Sequence, residues 1–145
     1  MSQAIPVHQF SSDRIPIGIE HIKKGKTDVV NGVHRHDFHE IFFFLEGSGE
    51  HMIDLEHHTF SSPCCHIVSP GQVHQLSRNA GSSGIVLMFA GDLHLALAEP
   101  AKRRLFGPTG SSTQKLSKEA LKDAVEIIKN IGSELKNDRA ISINY

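Results

Sequence analysis

Long apolar runs are missing from this 145-residue chain: nothing approaches the roughly eighteen uninterrupted apolar residues that a membrane-spanning helix requires. Met1 to Phe10 also lacks a basic start followed by an apolar stretch, so the sequence reads as an unexported, soluble protein of the cytoplasm. An excess of either charge is absent as well. Fifteen Lys and Arg stand against sixteen Asp and Glu, a formal charge of −1, and such a surface has no basic field to gather nucleic-acid phosphates. Cysteine is scarce: Cys64 and Cys65 are the only two, and a bridge between chain neighbours would be strained and would staple nothing. They are read as reduced thiols. Histidine, by contrast, is abundant, with eleven spread along the chain. Length and a 39% hydrophobic content fit one domain, which buries roughly 68–70% of its unfolded surface.

Most of the first ninety residues alternate with a period of two. Ile15, Ile17 and Ile19 suggest a first strand with its odd positions inward, and Pro16 marks it as an edge. A second pattern runs from Val29 through Val33 to His36, and Glu40 to Leu45 gives an apolar, aromatic strand. Gly47-Ser48-Gly49 reads as a hairpin turn, Glu56 to His58 as a charged turn, Ser61-Ser62-Pro63 as a break and Pro70-Gly71 as a further turn. Strand-like pieces lie between them, and Ile85 to Phe89 forms the last. Short strands with turns every 8 to 12 residues predict an antiparallel barrel or sandwich.

After Gly91 the character changes, which divides the chain into residues 1–91, the β part, and 92–145, a linker with helical segments. Asp92 to Ala98 reads as a short helix stopped by Pro100, and Gly107 to Thr113 as a loop. A second helix is expected from Ser117, its cap, to about Lys136, with Leu116 able to pack on Leu121. Leu121, Ala124, Val125, Ile128, Ile131 and Leu135 share one face, and Lys118, Lys122, Asp123, Glu126 and Lys129 take the remainder. That stripe either packs on the barrel wall or meets a second copy in a homodimer.

The chemistry gathers around His34, His36, Glu40 and His74. Two histidines two apart on a strand face the same side, their Cβ atoms roughly 6–7 Å apart. Glu40 has the same parity, but a straight strand would carry it about 13 Å away, so the chain must turn between Asp37 and His39 and place Glu40 on an adjacent strand. His74, just past the Pro70-Gly71 turn, can join from a third strand. Three imidazoles and a carboxylate suit Zn, Fe, Ni or Mn, with room for water or substrate. The same groups without a metal make the polar end of a small-molecule pocket. Phe42 and Phe44 share Glu40's parity and are read as the pocket floor or plain core, with His39 and Phe43 pointing outward or toward a neighbouring sheet. His51, His57, His58, His66 and His94 are assigned to the surface by default.

The spacing His34-x-His36, three residues, Glu40, six residues, Gly47 resembles the first cupin motif, and Pro70-Gly71-Gln72-Val73-His74 the second. Ser69 stands where that motif usually has proline, and Asp28 where a glycine usually precedes the first histidine. The wording of His34 to Asp54 and of His66 to Leu76 is more similar to the N-terminal domain of AraC-type (arabinose-regulator-like) transcription factors. That resemblance implies a cupin-like barrel binding a small polar effector, such as a sugar or related metabolite, and a helix used for dimerisation. It also implies DNA contact through helix-turn-helix units that this chain does not show, and the ending Ile141 to Tyr145, midway through an apolar pattern, is read as truncation. No catalytic residue is implied on that reading. The other readings are a metal-dependent cupin enzyme, a dioxygenase or isomerase, using the four residues as ligands, and a purely structural dimerisation module.

Overall fold

The computed structural model describes residues 4–9, 17–25, 28–90, 92–93, 98–106 and 111–137; the side chains at 28–31, 102 and 137 are outside that description. Among the described residues, ten strands and two helices follow in order: β1 (Val7–His8), β2 (Ile17–Ile22), β3 (Asp28–His36), β4 (Phe38–Glu46), β5 (Ser48–Ile53), β6 (Glu56–Ser61), β7 (Cys64–Val68), β8 (His74–Arg78), β9 (Ser83–Ala90), α1 (Glu99–Phe106), β10 (Thr113–Lys115) and α2 (Lys118–Asn137). The strands form two five-stranded sheets, ordered β1-β3-β8-β5-β6 and β10-β7-β4-β9-β2. All the pairings are antiparallel except β1 with β3. The sheets face each other over a core in which Phe42, Phe44, Val86 and Met88 of one meet Ile53, Phe60 and Leu76 of the other.

The expected mainly β, cupin-like architecture with a C-terminal helix is therefore present, but several connections differ from the sequence reading. Gly47 does not make a hairpin: β4 and β5 lie in different sheets, and Gly47 at φ 89° carries the chain across between them. Its backbone passes directly against Ser82, whose Oγ donates to Ser48 O at 2.8 Å. The chain also crosses between the sheets at Asp37, so Glu40 meets His36 across the sandwich and not from a neighbouring strand of one ladder. The charged turn expected at Glu56 to His58 is in fact strand β6. Asp54 and Leu55, at φ 49° and 68°, form the turn, a two-residue hairpin loop of the I′ kind that matches the strands' twist.

The first strand faces opposite to expectation within its described part, residues 10–16 lying outside it. Gly18 is buried and Ile22 packs on the core, whereas Ile19 lies against α2 beside Gly132. β2 is an edge strand, as expected. Pro100 opens α1 and does not end a helix, because a residue in the first turn has no intrahelical N–H bond to lose. Of the helix expected over Asp92 to Ala98, residues 94–97 lie outside the description. Thr113, expected in a loop, starts β10, which extends the second sheet beyond β7. Ser117 caps α2 as read from the sequence: its Oγ accepts the Ala120 N–H at 3.0 Å.

The apolar stripe of α2 rests on the outer side of the second sheet. Ile128 is buried there, while Leu121, Ala124, Val125, Ile131 and Leu135 are half-buried.

Candidate functional site

Three local structures bring the polar cluster together. Gly32, at φ 63°, sits within a register shift between Val30 and His34, after which β3 delivers His34 and His36 on its inner face. Pro70-Gly71 forms a type II turn, with Gly71 at φ 83° and the Gln72 N–H donating to Ser69 O at 3.1 Å. The Gly71 N–H donates to His36 O at 2.9 Å, which fastens this turn to the end of β3 and sets His74 directly opposite His34 in the ladder. β4 supplies Glu40 from the facing sheet.

The four predicted residues converge and are buried. Glu40 Oε2 lies 3.0 Å from His36 Nε2 and 3.5 Å from His74 Nε2, and the two imidazole nitrogens are 3.1 Å apart. Ligand nitrogens of His34, His36 and His74 all fall within 4.8 Å of one another. A carbonyl can only accept, so His36 carries its proton on Nδ1, facing Phe38 O at 2.7 Å, and His34 carries its own on Nδ1, facing Gly32 O at 3.0 Å. In the neutral rings both Nε2 atoms are then bare lone pairs. A lone pair of His36 directed at a carboxylate oxygen requires either a proton between them or a cation among them. The donor set thus fits a divalent metal chemically, with each ring turned by a backbone partner on its far nitrogen.

Phe42 and Phe44 point inward as expected. Phe42 is edge-on to His51 at 4.9 Å, and Phe44 stacks on Phe60 at 4.0 Å, deeper in the core. His39 does leave the sandwich interior but is not exposed. It is covered by Phe89, stacked at 4.8 Å, and by Phe106 of α1 at 4.8 Å.

Two histidines assigned to the surface belong instead to the interior. His51 and His66 are 0% and 2% exposed, and they continue the cluster inward: His51 Nε2 is 2.9 Å from His74 Nδ1, and His51 Nδ1 is 3.0 Å from His66 Nδ1. His58 is half-buried, its ring 6.5 Å from His66, in place of the solvated turn position expected. His57 is exposed and bonded to Glu50, and His94 lies outside the described residues. The signal for His51 was its shared parity with Ile53. For His66 parity was no help, because every residue of β7 is buried.

Burial sets the charge of these groups. It pushes His74 down to about 2, with help from the neighbouring His51, and His51 down to about 3, with help from His66. His66 falls to about 4 through burial and the adjacent His58, and His34 is lowered by burial. Glu20, at the same end, is raised by burial and by Glu40. Cys64 and Cys65 are both buried free thiols, the former pushed up to about 11 by burial and its neighbour, so neither is a nucleophile at neutral pH.

Residues 16–137 match the family model of the AraC-like ligand-binding domain. The chain belongs to that family. Among solved structures, this AraC-like domain is similar to ToxT from Vibrio cholerae O395, solved with (E)-4-(8-methylnaphthalen-1-yl)but-3-enoic acid. The two are 12% identical with a TM-score of 0.51, over 90% of this chain and 50% of ToxT, so the likeness shows the fold and spans half of that protein. A cupin protein from Bacteroides fragilis is 24% identical over 57% of this chain and 68% of its own, with a TM-score of 0.44. Bacillus subtilis oxalate decarboxylase, described with Mn(II) centres, is 13% identical over 76% of this chain and 36% of its own, with a TM-score of 0.46. No curated protein matches the domain significantly. No helix among the described residues is long and apolar enough to cross a membrane.

Proposed function

We propose that this AraC-like domain is the effector-sensing and dimerisation module of a bacterial transcriptional regulator, taking a small polar metabolite, a sugar or a relative of one, at the end of the sandwich marked by His34, His36, Glu40 and His74. The observation that carries the reading is the convergence of three imidazoles and a carboxylate, all buried, at one end of the sandwich, continued inward by His51 and His66. Burying so many polar groups costs free energy unless they are partnered, and a ligand's hydroxyls or a cation supply partners that an apolar core would not. Phe42 gives that polar end an aromatic wall, and Phe44 a floor beneath it.

The proposed mechanism is a population shift. The effector binds one arrangement of barrel and α2 better than another, and the helix carries the difference to a homodimer and to a DNA-contacting region outside this chain. Support for dimerisation comes from α2: five of its six stripe residues, Leu121, Ala124, Val125, Ile131 and Leu135, stay partly exposed, leaving some apolar area for a partner helix. The domain acts by binding, with no catalytic residue.

Thermal melting across a panel of small polar metabolites tests this. A cognate effector at a hundred times its dissociation constant adds about 2.7 kcal/mol, roughly 6–10 °C for a domain of this size, and the gain disappears in the Glu40→Gln and His36→Ala variants. A panel that includes sugars and their acids but moves the melting temperature in no case would count against the reading and in favour of a structural dimerisation module.

The donor set itself favours a second reading, in which the site holds Zn, Fe, Ni or Mn and serves a metal-dependent cupin enzyme such as a dioxygenase or isomerase. His34, His36, Glu40 and His74 would be the ligands, and the ion would act as a Lewis acid toward a bound substrate. Stoichiometric metal in protein purified without added ions, lost in His36→Ala, together with turnover of a substrate, separates this from the regulator.

A further inference from the structure

His51 and His66 lie beyond the cluster of His34, His36, Glu40 and His74, yet they are hydrogen-bonded to it in series. His74 Nδ1 faces His51 Nε2 at 2.9 Å, and His51 Nδ1 faces His66 Nδ1 at 3.0 Å. Both contacts join two ring nitrogens. In each, one nitrogen must donate and the other accept, and a neutral imidazole has one of each. The direction of one bond therefore dictates the direction of the next.

Only two arrangements of neutral rings satisfy the series. In the first, His74 donates from Nδ1 to His51, and His51 donates from Nδ1 to His66. His74 Nε2 is then a bare lone pair, beside the bare Nε2 atoms of His34 and His36, whose protons are fixed on Nδ1 by Gly32 O and Phe38 O. The cluster presents three lone pairs and a carboxylate. In the second, His66 donates to His51 and His51 to His74, so His74 Nε2 donates to the lone pair of His36 Nε2 at 3.1 Å, the arrangement that satisfies the rings when no cation is bound. The first arrangement is complementary to a cation and the second is not.

We propose that His51 and His66 are positioning residues that set the tautomer of His74, and through it make the cluster a divalent-cation site. His34 and His36 are held in the ligating form by backbone carbonyls; a cation at the cluster selects the first arrangement, in which His51 and His66 accept in series the proton that His74 carries on Nδ1. The proposal rests on reading the cluster as the polar end of the ligand pocket, and it adds which chemistry that end accepts. Partners on the far nitrogen of a ligating histidine typically change metal affinity by about 10- to 100-fold when removed.

The test is calorimetric titration of Zn²⁺ into the full chain and its variants. His66→Leu, which deletes the acceptor of the His51 N–H, is expected to bind about 10- to 100-fold more weakly, while His66→Gln, whose side-chain carbonyl can accept the same proton, recovers most of the affinity. A purely structural role for His66 would not distinguish the two variants once both are shown to be folded. Nitrogen-15 NMR of histidine-labelled, Zn²⁺-loaded wild-type protein gives a readout that needs no variant: His74 and His51 protonated on Nδ1, His66 on Nε2. The opposite pattern at His51, or equal affinity of wild type and folded His66→Leu, overturns the proposal. Absence of Zn²⁺ binding by the wild type also overturns it, and leaves the effector reading to be judged on the metabolite panel alone.

Discussion

His66 shows how burial turns a titratable side chain into a condition on stability. Its proton is taken up near pH 6.5 in the unfolded chain but only near pH 4 in the folded one. Above pH 6.5 both states are neutral and stability is full. Between those values the unfolded state binds more protons, so stability falls as the pH is lowered. His66 alone is expected to cost about 1.4 kcal/mol at pH 5.5, and His51, lowered to about 3 by burial and His66, adds to the loss. Melting curves at pH 7.5 and 5.5 check this: the midpoint should drop at the lower pH, and the drop should shrink in His66→Gln. An unchanged midpoint would mean that these rings find a partner for the second proton. Of the residues at this site, the four with motif spacing were legible in the sequence. His51 shared the inward parity of Ile53, but its bond to His66 crosses to the facing sheet, and His66 lies in a strand buried throughout, so no local pattern joined the two.

At the scale of elements, backbone conformation at the crossings and turns carries the sharpest expectations. Leu55 occupies the left-handed region at φ 68° with its side chain 80% exposed, so it contributes strain without burial. Leu55→Gly relieves that strain in a turn where glycine is preferred, and is expected to raise stability by about 0.5–1 kcal/mol in denaturant titration. Gly47 is the contrary case. A methyl group there would meet Ser82 and would be held at φ 89°, so Gly47→Ala should destabilise by about 1–3 kcal/mol and disturb the crossing from β4 to β5. If Gly47→Ala melts like the wild type, the close approach to Ser82 is not the constraint described. The strand-like pattern located β4 and β5, but half of β6 was read as a turn, and the glycine-rich tripeptide after β4 looked the same whether it closed a hairpin or passed to the other sheet.

For the molecule as a whole, α2 ties the C-terminal segment to the barrel. Ile128 is buried between helix and sheet, and Gly132 lets the helix approach Ile19. Ile128→Ala is expected to cost about 2–4 kcal/mol and to loosen the helix from the second sheet, which hydrogen exchange along α2 would report as lost protection. If the half-covered residues serve the proposed homodimer, sedimentation of the 16.0 kDa chain should give twice that mass, and Leu121→Glu or Leu135→Glu should return it to a monomer without unfolding the barrel. A wild-type chain that sediments as a monomer at every concentration would remove the dimer reading. The amphipathic stripe was plain in the sequence, down to its Ser117 cap. Which surface covers it was not, since an apolar face is equally suited to its own sheet and to a neighbour.

What the sequence determined by itself is what lies within a few residues along the chain: alternation that makes strands, a Pro-Gly turn ahead of His74, a capped amphipathic helix, and the His34, His36, Glu40 and His74 spacing that marks the family. Tertiary structure alone decided the rest. Hydrogen bonding fixes each strand's neighbours, but the facing of two sheets across a core is set by packing between residues far apart in sequence. That packing put Glu40 opposite His36 and drew His51 and His66 out of water into a chain of bonded rings.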